Sequence, residues 1–234
     1  MFPLNDDNPT RTTPYVTLAL IAANIVVFIH ELRLSSFGLN QFFQLYAVIP
    51  RELTDAFRGI PIHQTVPEIL TLVTSQFLHG GFMHVGGNML FLWIFGNNIE
   101  DRLGHLKYLI FYLACGILAA LSQWFFSISS PIPSLGASGA IAGVMGAYIL
   151  RFPGAQINTL VFLGFFITTV RIPAILFLGI WFLQQAFSSV ASLHVPADVG
   201  MSSGGIAYWA HAGGFVFGAI LSPLMGLFDR ESND

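Results

Sequence analysis

One hydroxyl, Ser138, stands between Gly136 and Gly139 in the stretch SLGASGAIAGVMGAY, which carries no charge before Arg151. The other apolar stretches hold few polar groups: His79, His84 and Asn88 in HGGFMHVGGNMLFLW, and His211 in YWAHAGGFVFGAI. Polar and ionisable side chains within membrane spans are costly and mark functional positions by default. These types suit acyl transfer. A serine becomes a nucleophile when a base lies within hydrogen-bond reach, and His211 is able to take its proton and return it to a leaving amine. The oxyanion then needs donors, each worth about a hundred- to a thousandfold in rate; the candidates are His84, the Asn88 amide and the Ser138 backbone N–H. No Asp or Glu lies within the second to sixth apolar runs, so a Ser-His dyad is expected rather than a triad with its buried carboxylate. Each feature has a plainer reading when taken alone. Serine and glycine pack membrane helices, and a lone histidine commonly bonds one helix to another.

The elements that must position these groups follow from composition. The 234 residues are 54% hydrophobic and 9% charged, with a mean hydropathy of +0.70. A soluble domain carries roughly a quarter charged residues. The net charge of −3, without a basic stripe, gives no sign of nucleic acid, and the single cysteine, Cys115, permits no internal disulfide. Apolar windows predict six spans, at 14–32, 81–98, 105–127, 138–151, 172–191 and 205–228. Residues 1–13 read as a cytoplasmic tail, 14–228 as one membrane domain and 229–234 as a second short tail. The segment before the first span is as acidic as it is basic, unlike a secretory leader. The mixed stretch 33–80 reads as a loop packed at an interface.

QINTLVFLGFFITTV, residues 156–170, fits either a seventh span or an interfacial hairpin. If it does not span, Arg11, Arg102, Lys107, Arg151, Arg171 and Arg230 share one side against Arg33, Arg51 and Arg58. That balance follows the positive-inside rule, with both termini cytoplasmic. The even-numbered spans then all start at the outer side, which brings Ser138, His84, Asn88 and His211 to one depth. The fourth span is short: thirteen residues from Ser138 to Leu150 make about 20 Å of helix against a hydrocarbon core of about 30 Å. Ser138 is therefore expected below the outer surface, with the preceding SISSPIPSLGA dipping inward, as irregular backbone does only where protein or water covers it. Gly139-xxx-Gly143 and Gly214-xxx-Gly218 are small-xxx-small patterns that bring backbones together, which would carry His211 toward Ser138. Trp93, Trp124, Trp181 and Trp209 read as interfacial or packing aromatics, and His30, His63, His105 and His194 as loop residues without a role.

GASG at Ser138, HVGGN giving H-x-x-x-N at His84 and Asn88, and AHAGGFVFG at His211 together resemble the rhomboid intramembrane serine proteases, as does EDRLG at Glu100–Gly104. The resemblance spans about 14–228. It implies an all-α polytopic membrane protein, a six-helix bundle with a short central fourth helix, that cleaves single-span or polytopic membrane-protein substrates near their outer ends without metal or cofactor. Ser138 would be the nucleophile, His211 the base, His84 and Asn88 oxyanion donors, and Gly136 a lining residue of a water-filled site. It further implies a multi-pass protein of the bacterial cytoplasmic membrane, its oligomeric state open. Two positions depart from the pattern: Ala142 stands where an aromatic often supports the histidine, and the Trp-Arg pair of the first long loop is absent.

Three other classes compete. An inactive rhomboid-like binding or quality-control protein would usually lack the serine or the histidine. A metal-dependent hydrolase built on His79, His84 and His211 would lack H-E-x-x-H and an intramembrane carboxylate. A channel or transporter would be expected to show charged pore residues or paired broken helices.

Overall fold

A computed structural model describes residues 2–61, 65–164, 166–193 and 207–229. The loop residues His63 and His194, the cation Arg230, the first two residues of the sixth expected span and nearly all of the C-terminal tail lie outside these. The chain is mainly helical. Helix α1 is Tyr15–Glu31, followed by three short helices, α2 (Ser36–Tyr46), α3 (Pro50–Phe57) and α4 (Glu68–Thr74), and a 3-10 turn at Ser75–Phe77. Longer helices follow: α5 (Phe82–Leu103), α6 (His105–Phe126), α7 (Ser138–Arg151), α8 (Ala174–Ser192) and α9 (Tyr208–Leu224). Among the described residues, α6 and α8 are long and apolar enough to cross a membrane, while α1 is apolar but shorter. Helix length alone therefore does not establish six spans.

One expectation is corrected: the chain is not all-α, since residues 2–6 join the ambiguous segment in a three-stranded sheet. Strand β1 (Phe2–Asp6) pairs antiparallel with β2 (Gln156–Leu163), which pairs with β3 (Phe166–Pro173). The ambiguous segment is thus the core of a hairpin, turned at Gly164 with φ 63°. Its β-branched and aromatic residues favour strand, and β1 needs those partners to form at all. Arg171 Nη2 reaches Asp7 Oδ2 at 2.6 Å beside the sheet.

Helix α5 also runs five residues past its expected end, through Glu100, Asp101 and Arg102, until Gly104 with φ 76° breaks it. These charges have structural partners. Helix α1 begins after Pro14 without a side-chain cap of its own, and its exposed N–H groups need acceptors. The buried Glu100 carboxylate accepts from Val16 N and Thr17 N, both at 2.8 Å, and from Thr17 Oγ1 at 2.7 Å. Asp101 Oδ1 accepts from Thr12 N at 2.8 Å and Arg11 N at 3.1 Å.

Helix α7 is buried at every residue from Gly139 to Tyr148, as suits a helix without a polar face. Glycine lets its neighbours approach. A Cβ on Gly139 would stand 2.6 Å from Ala119 Cβ of α6, and one on Gly143 2.5 Å from Cys115 Cβ. On α9, a Cβ at Gly214 would meet the Gly139 carbonyl, and one at Gly218 the Gly143 carbonyl. Gly146 in turn faces the Phe215 carbonyl. The segment before α7 is tied to the 33–80 loop: Val48 and Ser134 exchange backbone bonds of 3.1 and 2.7 Å, and Gly136 N donates to Ser75 O at 2.8 Å. Its irregular backbone is satisfied by protein, as its expected depth requires.

Candidate active site

Ser138 opens α7 and His211 lies in the first turn of α9. The close packing of these helices brings His211 Nε2 to 2.7 Å from Ser138 Oγ. Gly136 sits two residues earlier with φ 125°, a conformation that favours glycine. A Cβ there would lie 2.7 Å from His84 Nε2 and 3.6 Å from Ser138 Oγ, so the His84 ring covers Gly136 beside the hydroxyl. A small cavity of about 20 Å³ adjoins Ser138, lined in part by Ser75, Gln76, Ser134 and Gly136. That is room for about one water molecule.

Asn88 lies one turn along α5 from His84. Its Nδ2 is 2.9 Å from His79 Nε2, and the His79 and His84 rings meet edge to face with centroids 5.0 Å apart. The backbone N–H of His79 donates to Glu31 Oε1 at 3.2 Å. Ser138, His211, His84 and Gly136 are therefore gathered directly, and Asn88 joins them through the His79–His84 pair.

Two residues complete the surroundings of His211, both on α8: Gln185, which the sequence did not single out, and Trp181, expected only as an interfacial or packing aromatic. Gln185 Oε1 lies 2.9 Å from His211 Nδ1. Trp181, one turn earlier, places its ring centroid 5.8 Å from that of His211 at 34°. With Ala142 in the place of an aromatic and fully buried, the flanking ring comes from another helix. The signal for Gln185 was visible as an amide in the apolar run AILFLGIWFLQQAF. A search confined to ionisable groups passes over it, and nothing in a sequence tells a packing Trp181 from one beside a histidine 30 residues away.

A serine hydroxyl bonded to an imidazole, recessed among apolar helices with further donors alongside, is an arrangement able to carry out acyl transfer. The chain belongs to the Rhomboid family of integral membrane proteins: the Rhomboid domain matches residues 66–228. It is 28% identical over 217 residues to "Rhomboid protein 1, mitochondrial" of Saccharomyces cerevisiae, covering 88% of this chain and 55% of that protein. It is 33% identical over 160 residues to "Rhomboid protease GluP" of Bacillus subtilis, covering 68% of this chain and 28% of that protein. "Rhomboid-like protein 11, chloroplastic" of Arabidopsis thaliana is 25% identical over 215 residues, 91% of this chain and 69% of the relative. The chain thus spans about half of the yeast relative and little more than a quarter of the Bacillus one.

Proposed function

We propose that this protein is an intramembrane serine endopeptidase, with Ser138 as nucleophile and His211 as base. The observation that carries the reading is the 2.7 Å contact between Ser138 Oγ and His211 Nε2. Family membership and a relative named as a protease support it. Ser138 Oγ attacks the scissile carbonyl carbon while its proton passes to His211 Nε2. The C–N bond then breaks, and His211 returns that proton to the amine. Water activated by the same imidazole splits the acyl ester. His84, the Asn88 amide and the Ser138 N–H, free at the start of α7, donate to the oxyanion, and Gly136 keeps that space clear.

The topology belongs to the same proposal: six spans formed by α1, α5, α6, α7, α8 and α9, both termini cytoplasmic, and the sheet on the cytoplasmic side. Substrates are single-span or polytopic membrane proteins cut near the outer face, where a helix-weakening residue frees the scissile carbonyl. The proposed chemistry draws on no metal or cofactor. The relatives come from mitochondria, chloroplasts and a bacterium, so they do not favour the bacterial cytoplasmic membrane over the organellar ones.

The test is cleavage of a model single-span substrate by the protein reconstituted in vesicles. Wild type should cut, Ser138→Ala and His211→Ala should fall to background, and a chelator should change nothing. A fluorophosphonate should label Ser138. Undiminished cleavage by Ser138→Ala would overturn the serine mechanism, and loss of cleavage on chelation would point to a metal. A wild type that binds substrate without cutting it would indicate the inactive, binding class.

A further inference from the structure

We propose that Gln185 is a positioning residue that holds His211 in the tautomer a base requires; the role rests on reading Ser138 and His211 as the dyad. An amide oxygen only accepts hydrogen bonds. With Gln185 Oε1 2.9 Å from His211 Nδ1, the proton of the neutral imidazole is drawn to Nδ1. The Nε2 lone pair is then left facing Ser138 Oγ. Were the amide turned to donate, the proton would sit on Nε2 and the base would be blocked. When Nε2 takes the serine proton, the imidazolium Nδ1–H donates to the same oxygen, now as a charge-assisted bond.

The side chain is well placed to act this way. Gln185 is buried, and α8 sets Trp181 one turn before it against the same imidazole. Among the described residues, the titratable side chain brought beside the pair from another element is His84 of α5, whose ring covers Gly136 next to Ser138 Oγ. It is common to every variant below.

The experiment measures kcat and KM against pH for the reconstituted full chain, comparing wild type with Gln185→Leu and Gln185→Glu. Leucine leaves Nδ1–H without a partner and both tautomers open, so kcat should fall roughly ten- to a hundredfold with KM unchanged. Glutamate restores the acceptor and should recover most of kcat. Its charge favours the imidazolium, so the acid limb of the profile should move to higher pH. A purely structural role would not move that limb. A Leu variant with the wild-type kcat and profile would overturn the assignment, as would a Glu variant as impaired as the Leu one. If Gln185→Leu matches wild type while Ser138→Ala is inactive, only the Gln185 assignment falls. If Ser138→Ala still cleaves, the dyad itself fails.

Discussion

At the scale of the residue, Gly136 carries two constraints that meet at one atom. Its φ of 125° favours glycine, and a Cβ would stand 2.7 Å from His84 Nε2. Gly136→Ala should therefore displace the His84 ring and strain the backbone by about 1–3 kcal/mol. The expected result is a fall in kcat of at least about tenfold, since losing a donor typically costs more than that. A modest drop in the thermal midpoint should accompany it, and both should be measured on one preparation. Wild-type kcat in this variant would show that His84 does not act from above Gly136. The sequence made Ser138, His84, Asn88 and His211 legible as a set, because polar groups stand out in apolar runs, while Gly136 came with the family resemblance. It did not single out Gln185 for the site, nor His79 as the Asn88 partner. An amide carries no charge to flag it, and His79 lies in the irregular segment before α5, where no helical periodicity says which way it faces.

At the scale of the element, α7 is defined by how closely α6 and α9 approach it. Gly146 faces the Phe215 carbonyl of α9, a backbone group that cannot rotate away. Gly146→Ala should force the two helices apart, at about the 1–3 kcal/mol of an overpacked core. The separation is transmitted two turns along to Ser138 and His211, so fluorophosphonate labelling should slow more than stability declines. Equal labelling rates in the variant and wild type would count against glycine packing as the means of aligning the dyad. Helix ends were legible to within a few residues for α1, α6, α7 and α8, where an apolar run and the helix coincide. The end of α5 was not, because Glu100 and Asp101 look like an exit into water when read locally. Glu100 accepts from Val16 in the opening turn of α1, 84 residues earlier, and Asp101 from Arg11 and Thr12 just before that helix. Strand β1 was hidden for a similar reason: FPLND has no strand character until β2 lies beside it.

At the scale of the whole molecule, the N-terminal strand connects to the helix that bears Ser138. Asp6 Oδ2 accepts from the hydroxyl of Tyr148, near the far end of α7, and from Asn98 Nδ2 of α5 at 3.0 Å. Asp6→Ala would leave the buried Tyr148 hydroxyl without this acceptor, a loss of about 1–3 kcal/mol. The pH dependence has a definite sign. Burial, the largest influence, raises the Asp6 carboxyl above its ordinary 3.8 despite those hydrogen bonds. The folded state thus holds the proton more tightly than the unfolded chain. The group's stabilising contribution is complete below about 3.8 and is lost as pH rises through the raised value. Asp6→Asn keeps an acceptor and cannot ionise, so thermal unfolding in detergent should show wild type losing ground to it as pH rises. A constant difference across that window would place Asp6 in water rather than in the protein.

The Glu100 cap on α1 also has a consequence for the order in which the chain is made. The first helix leaves the ribosome without the carboxylate that completes its opening turn. Glu100 is synthesised 84 residues after Val16, a delay of roughly 4–17 s at translation rates of about 5–20 residues per second. For that interval α1 must find acceptors for Val16 and Thr17 in water or lipid headgroups. The docking of α5 then completes the opening turn of α1. The sheet closes later still, when β2 reaches β1, so β1 waits longer for its partner than α1 does for its cap.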